Sequence, residues 1–236
     1  MIVTTDAVVL HSRRYGDTSR IVVLYTEQLG KVSVVARGAR TPKSPFGSAL
    51  EPLSISRVTI YHRKLRDLHT VSAAESLHPG LWREPSYVKL RSAMTVCETL
   101  MRSQADEAPS TELFSVVREA VVGIALGHEE HALATGLHAR LAVARLMGFG
   151  LPVADVPLGS VVKISVEDGL PRSEAAQGYR LTRKVYEALL LCLETDPNTN
   201  LDLSDADEQE IDAFLTTYFS HHLDRRMVSR VSDTLR

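Results

Sequence analysis

Arg37, Arg40 and Lys43 follow one another along ARGARTPKSPFGSALEP (36–52), and no acid appears until Glu51. Gly38, Pro42, Pro45 and Gly47 exclude a helix or a long strand there, so the cations ride on a loop. Arg13 and Arg14 fall in a second turn region, and Arg57, Arg63, Lys64 and Arg66 flank the end of a later strand-like run. A single surface cation is ordinarily a solvated side chain. A collection in which cations outnumber carboxylates suits a polyanion, because each phosphate it neutralises releases condensed counterions. Tyr15, Tyr25, Phe46 and Tyr61 lie among these cations and could stack on bases, although Tyr25, on an apolar strand, equally suits a core.

The totals hide this asymmetry. The 236-residue chain has a formal charge of −2, yet residues 1–80 carry 11 Lys/Arg against 6 acids, a balance of +5. The remainder carries 16 basic and 23 acidic residues, a balance of −7. A basic segment joined to an acidic one implies that the first meets a polyanion. The only cysteines, Cys97 and Cys192, lie far apart with no CxxC spacing, which gives neither a disulfide framework nor a thiolate metal site. MIVTTDAVVLHSRR lacks a basic region ahead of its apolar stretch, and no apolar run reaches a membrane span, so a cytoplasmic protein is expected.

Two kinds of element must position these residues. TDAVVLHS (5–12), SRIVVLYT (19–26) and KVSVVARG (31–38) are short Val/Ile-rich runs separated by turn residues. LSISRVTIYH (53–62) changes face near Ser56 and Arg57, the signature of a bulge, and DLHTVSAAE (67–75) predicts a weak fifth strand. Five strands in about 80 residues predict a small closed barrel of the OB type. HPGLWREP (78–85) then ends the strand pattern and the apolar period becomes helical. Tyr87, Leu90, Met94, Cys97 and Met101 predict one helix stripe. Ser110 predicts the N-cap of a helix striped by Leu113, Val116, Val117, Ala120, Val121 and Ile124. Further helices are predicted over 129–150, 183–194 and 205–226, with short strand-like pieces SVVKISV and GYRLT between 155 and 182. The predicted class is α+β: an OB-fold domain over 1–80 and a mainly helical domain over 81–236.

Other candidate chemistry is weaker. Cys97 and Cys192 fall on helix stripes and suit core packing. His128 and His131 in HEEH have a spacing zinc could use, but no third ligand is evident, and a solvated helix end accounts for them. His221, His222, Arg225 and Arg226 sit near a helix end, where cations favour the dipole or contact an anion or partner. DLSDADEQEID (202–212) reads as an acidic helix start. No GxxxxGK[ST], no GxGxxG after a strand and no Ser/His/Asp arrangement appears, so no catalytic residue is assigned and no enzyme is expected.

The order AVVLHSRRYGDTSRIVVLYTEQLGKVSVVARGAR, followed by FGSALEPLS, resembles the RecO family of bacterial recombination mediators. The most specific parts are ARGAR and the ALEP that follows a basic, Ser-containing loop. The resemblance returns in LHARLAVARLMGFGLP (137–152) and in YFSHHLDRRMVSRVSDTL (218–235). It implies an N-terminal OB-fold, a helical C-terminal domain and no enzymatic turnover. It further implies binding of single- and double-stranded DNA and annealing of complementary strands. RecR is the implied co-factor protein in helping RecA replace the single-stranded DNA-binding protein, SSB, whose acidic, apolar-ended tail docks on the helical domain. Carried onto this sequence, the DNA face is Arg13, Arg14, Arg37, Arg40 and Lys43, with Arg20 and Lys31 beside it. Many relatives hold a zinc through two Cys pairs after the central helix. Residues 151–182 contain no cysteine or histidine, so no metal and no other cofactor is expected, and that insert must be held by packing or be mobile.

Two expectations thus stand side by side. One is a nucleic-acid-binding barrel whose loop follows a phosphate backbone. The other is an adaptor in which His138, Arg140 and Arg145 receive an acidic partner tail while the barrel only steers. An OB-containing enzyme acting on nucleic acid is the third and least supported.

Overall fold

A computed structural model describes residues 1–78, 81, 86–156, 159–173 and 177–223. The chain separates into two compact units, 1–129 and 130–236.

The first unit is built on the strands β1 (Ile2–Tyr15), β2 (Ser19–Thr26), β3 (Gly30–Ala36), β4 (Ile55–Tyr61) and β5 (Leu68–His78). They close into a barrel in the order β1-β2-β3-β5-β4, with β3 and β5 parallel and the other pairs antiparallel. This is the OB-type barrel expected from the five β-rich runs. Alternation is strict in β3, which buries every second residue and sends Val32, Val34 and Ala36 inward against Val9, Leu24 and Ile60. The bulge expected in β4 is present as a register shift between Ile55 and Ser56 against β5. The fifth strand is longer than its weak alternation suggests, because β4 pairs with it along most of its length.

Two helices, α1 (Tyr87–Ser103) and α2 (Thr111–Leu126), pack against β1 within the same unit. Ser110 caps α2 by accepting the Leu113 N–H, as its position predicted, and five of the six expected stripe residues of α2 are buried. The stripe expected on α1 is corrected. Tyr87 and Met94 are exposed, Cys97 is buried as expected, and Ala93, Val96 and Leu100 are buried with it. Both sets obey the same i, i+3, i+4 spacing; the smaller side chains face inward because they allow the helix to approach its neighbours closely.

The link between α1 and α2 is clasped to the start of β3. Lys31 O accepts the Glu107 N–H at 2.9 Å, and Lys31 Nζ donates to Met101 O at 3.0 Å and lies 3.3 Å from Asp106 Oδ1. Gly30 makes the clasp possible. Its φ is +67°, and a Cβ there would fall 2.5 Å from the Ala108 carbonyl group.

The second unit contains α3 (Ala132–Leu146), α4 (Arg183–Glu194), α5 (Asp205–His222) and a three-stranded sheet. The sheet has the order β7-β6-β8, from β6 (Val161–Ile164), β7 (Pro171–Arg172) and β8 (Tyr179–Thr182). Val162, Ile164 and Leu181 are buried, so packing against α4 holds the described part of the cysteine-free insert. The acidic start of α5 is a capping box of Ser204 and Asp207. Arg140 of α3 pairs with Asp212 of α5 at 2.5 Å.

Gly30→Ala is expected to lower stability by about 3 kcal/mol, from a left-handed backbone penalty plus overlap with Ala108. Gly16→Ala has a similar φ of +56° but nothing within 4 Å, and its expected loss is about 1 kcal/mol. Urea unfolding of the two variants separates the clasp from backbone strain: equal losses would show that the close approach contributes nothing.

Candidate nucleic-acid interface

Two hairpin features bring the predicted cations together. In the β1–β2 hairpin, Arg13 stands opposite Ile21 and Arg14 opposite Arg20, while Arg20 also faces Ala36 at the end of β3. The loop 37–54 leaves β3 at that same end. It docks on the hairpin turn through backbone and side chain, with the Arg40 N–H donating to Thr18 O at 2.9 Å and Arg40 Nη1 to Gly16 O at 3.1 Å.

That loop is not a free excursion. Successive tight turns fold it, including Thr41 N–H to Gly38 O and Ala49 N–H to Phe46 O, and Phe46 and Leu50 insert into the barrel core. Leu53 returns the chain to β4 with a φ of +66°, which is strained for leucine and is tolerated because its side chain is buried. Leu53 and Ser54 bond to Val9, where β1 slips register against β2. Phe46 therefore joins the core instead of standing ready to stack on bases, and Tyr25 is fully buried as well. Tyr15 and Tyr61 remain about half exposed.

Between hairpin and loop lies an open groove of about 360 Å³, lined by Ser12, Arg13, Arg14, Arg20, Arg40, Glu51 and Pro52. Four arginines and one glutamate line it. Arg20 Nη1 and Glu51 Oε1 form a half-exposed ion pair at 2.8 Å. Arg13, Arg14, Arg37 and Lys43 are exposed and have no carboxylate partner among the described residues. The Ser12 hydroxyl is shielded from solvent and lacks a hydrogen-bond partner there.

Lys31 lies apart from this group. It faces Tyr25, five residues back along β3 from Ala36, and its amine is engaged by the end of α1. Arg57 pairs with Asp6 at 2.8 Å, whereas Arg63, Lys64 and Arg66 form a separate exposed turn between β4 and β5. Spacing alone cannot show that Glu51 would enter the groove, because the loop's turns decide where it lands.

The residues considered for a partner tail are dispersed in the second unit. Arg140 is buried and paired with Asp212, His138 is half-buried, and Arg145 alone of the three is exposed, next to exposed Leu146. Burial holds the His138 imidazole below its usual range, against a smaller opposing effect of Asp196. Arg225 and Arg226 lie outside the described residues. Burial pushes the Cys97 and Cys192 thiols up to about 12, which fits the core role expected of them. Among the described residues, no helix is long and apolar enough to cross a membrane.

Comparison with known proteins places both parts of the chain in one family. Residues 1–79 match the family model described as recombination protein O N terminal, and residues 85–230 match recombination protein O C terminal. A DNA repair protein RecO of Salinibacter ruber is 28% identical over 232 residues, covering 94% of this chain and 89% of its own length. One from Anaeromyxobacter sp. is 27% identical over 247 residues, covering 97% and 94%. A Nocardioides sp. protein of the same name is 35% identical over 136 residues, covering 56% and 53%. With both halves matched in order, the chain belongs to the recombination protein O family.

Proposed function

We propose that this protein is a recombination mediator in DNA repair that acts by binding DNA rather than by turnover, with the arginine groove of the barrel as its phosphate site. The observation that carries this reading is the convergence of Arg13, Arg14, Arg20 and Arg40 on one open groove with a single carboxylate. Arg37 and Lys43, both exposed, extend the cationic track along the loop. Guanidinium groups recognise phosphate by shape as well as charge. No base-reading geometry is needed, so binding depends little on sequence and strongly on salt, and exposed Tyr15, which follows Arg14 in β1, offers a stacking face.

Annealing follows from the same chemistry. Two strands brought to one cationic surface have their mutual repulsion screened. In this reading the protein holds single- and double-stranded DNA and, with RecR, assists the loading of RecA onto SSB-coated strands in the cytoplasm. The acidic, apolar-ended SSB tail would meet exposed Arg145 and Leu146 of α3, while Arg140 serves the α3–α5 contact. Lys31, tied into the clasp with α1, serves the fold and not the DNA.

Fluorescence anisotropy of a labelled single strand across a salt series tests the groove. Each phosphate contact contributes about 0.7 to the slope of log affinity against log salt for single strands. Arg13→Ala/Arg14→Ala/Arg40→Ala should therefore flatten the slope by about 2 and weaken binding at low salt, whereas Lys31→Ala should leave the slope unchanged. A triple variant with the wild-type slope would mean that phosphate is held elsewhere.

Glu51→Gln releases Arg20 and removes the one negative charge from the groove. Its expected effect is tighter binding and a steeper salt slope than wild type. Weaker binding by this variant would show instead that the Arg20–Glu51 pair is needed to shape the site.

A further inference from the structure

We propose that His62, His69 and Glu107 form a binding site for a divalent transition metal of the zinc class, tying the β4–β5 turn of the barrel to the α1–α2 link. None of the three belongs to the cationic groove. Their donor atoms all lie within 4.8 Å of one another. His62 follows the last residue of β4 and His69 is the second residue of β5, so the intervening turn folds the two rings to 4.4 Å between centroids. Glu107 arrives from the link between the helices, and its Oε1 stands 2.9 Å from His62 Nε2 and 3.0 Å from His69 Nε2.

Three features distinguish this cluster from a chance surface contact. The imidazoles are withdrawn from solvent, with side-chain exposures of 10% for His62 and 1% for His69, while the Glu107 side chain is 48% exposed. Glu107 also has a φ of +55°, a left-handed conformation uncommon for a residue with a Cβ. Its N–H bond to Lys31 O holds it there, so the clasp to β3 aims the carboxylate at the two rings. Finally, the donor set is two imidazole nitrogens and one carboxylate oxygen. Zinc takes that set with a fourth position left to water, and ligands about 2.0–2.2 Å from a tetrahedral ion lie roughly 3.4 Å apart, so the 2.9 and 3.0 Å from Glu107 Oε1 to the two rings need only widen slightly.

The same geometry defines what binding must change. At present one carboxylate oxygen faces two ring nitrogens, an arrangement that two N–H donors satisfy. The His69 ring accepts the Arg63 N–H on Nδ1 at 3.3 Å. Metal on Nε2 transfers the His69 proton to Nδ1, so the Arg63 N–H has to turn away. That movement falls on the exposed turn 63–67, the part of the hairpin best able to accommodate it. Metal loading therefore carries a structural signature of its own, separate from any effect on DNA.

The test uses the full chain stripped of metal by a chelator, then titrated with Co²⁺ and with Zn²⁺. The expected result is one Co²⁺ per chain with tetrahedral visible bands, no thiolate charge-transfer band, displacement by Zn²⁺, and a shift of the Arg63 amide resonance. Glu107→Gln and His62→Gln should each weaken metal binding at least about tenfold, while His131→Gln and His221→Gln should not. Glu107 is half-exposed, so its variant is expected to unfold in urea much as wild type does, which separates a lost ligand from a lost fold. No uptake by wild type, a thiolate band, or equal binding by Glu107→Gln and His62→Gln would each overturn the assignment.

Discussion

Clustered like charge is the constraint on which the barrel end of this molecule depends. Arg13, Arg14, Arg20 and Arg40 repel one another, and Glu51 offsets only part of that repulsion. Something uncharged must hold them in place. It is the insertion of Phe46 and Leu50 into the barrel core, with the backbone bond from the Arg40 N–H to Thr18 O in the hairpin turn. The loop is cationic on its solvent side and apolar where it meets the barrel. Its prolines and glycines serve a chain of tight turns that puts each side chain on the correct side.

A second device works at another part of the barrel. Gly30 lets the α1–α2 link lie against β3, and Lys31 spans the join through its backbone and its amine. One compact unit thus comprises the barrel and its two following helices, although the family models divide the chain between residues 79 and 85. The join also sets the position of Glu107 relative to His62 and His69. A residue that looks like a spare cation in the sequence is therefore part of the frame.

Much of this was legible in the sequence where one period dominates. The Val/Ile-rich runs of β2 and β3 and the Ser110 cap mark their elements directly, and the charge contrast between the two halves marks the basic end. Legibility failed where position depends on tertiary packing. Tyr87 and Met94 share a helical period with the residues that are buried, and only the neighbours of α1 choose between the two faces. Phe46 sits among cations and prolines, so no periodicity points it inward. The entry of Glu51 into the groove is set by turn geometry. His62, His69 and Glu107 come from separate elements, and the left-handed backbone at Glu107 is invisible in the residue order.

The most direct test of the groove as the DNA site is hydrogen–deuterium exchange of the full chain with and without a short single strand at low salt. The account predicts slowed exchange at 13–20 and 37–45, the hairpin and loop that carry the arginines, and little change over 161–182. Protection confined to the second unit, with the hairpin and loop unchanged, would contradict it.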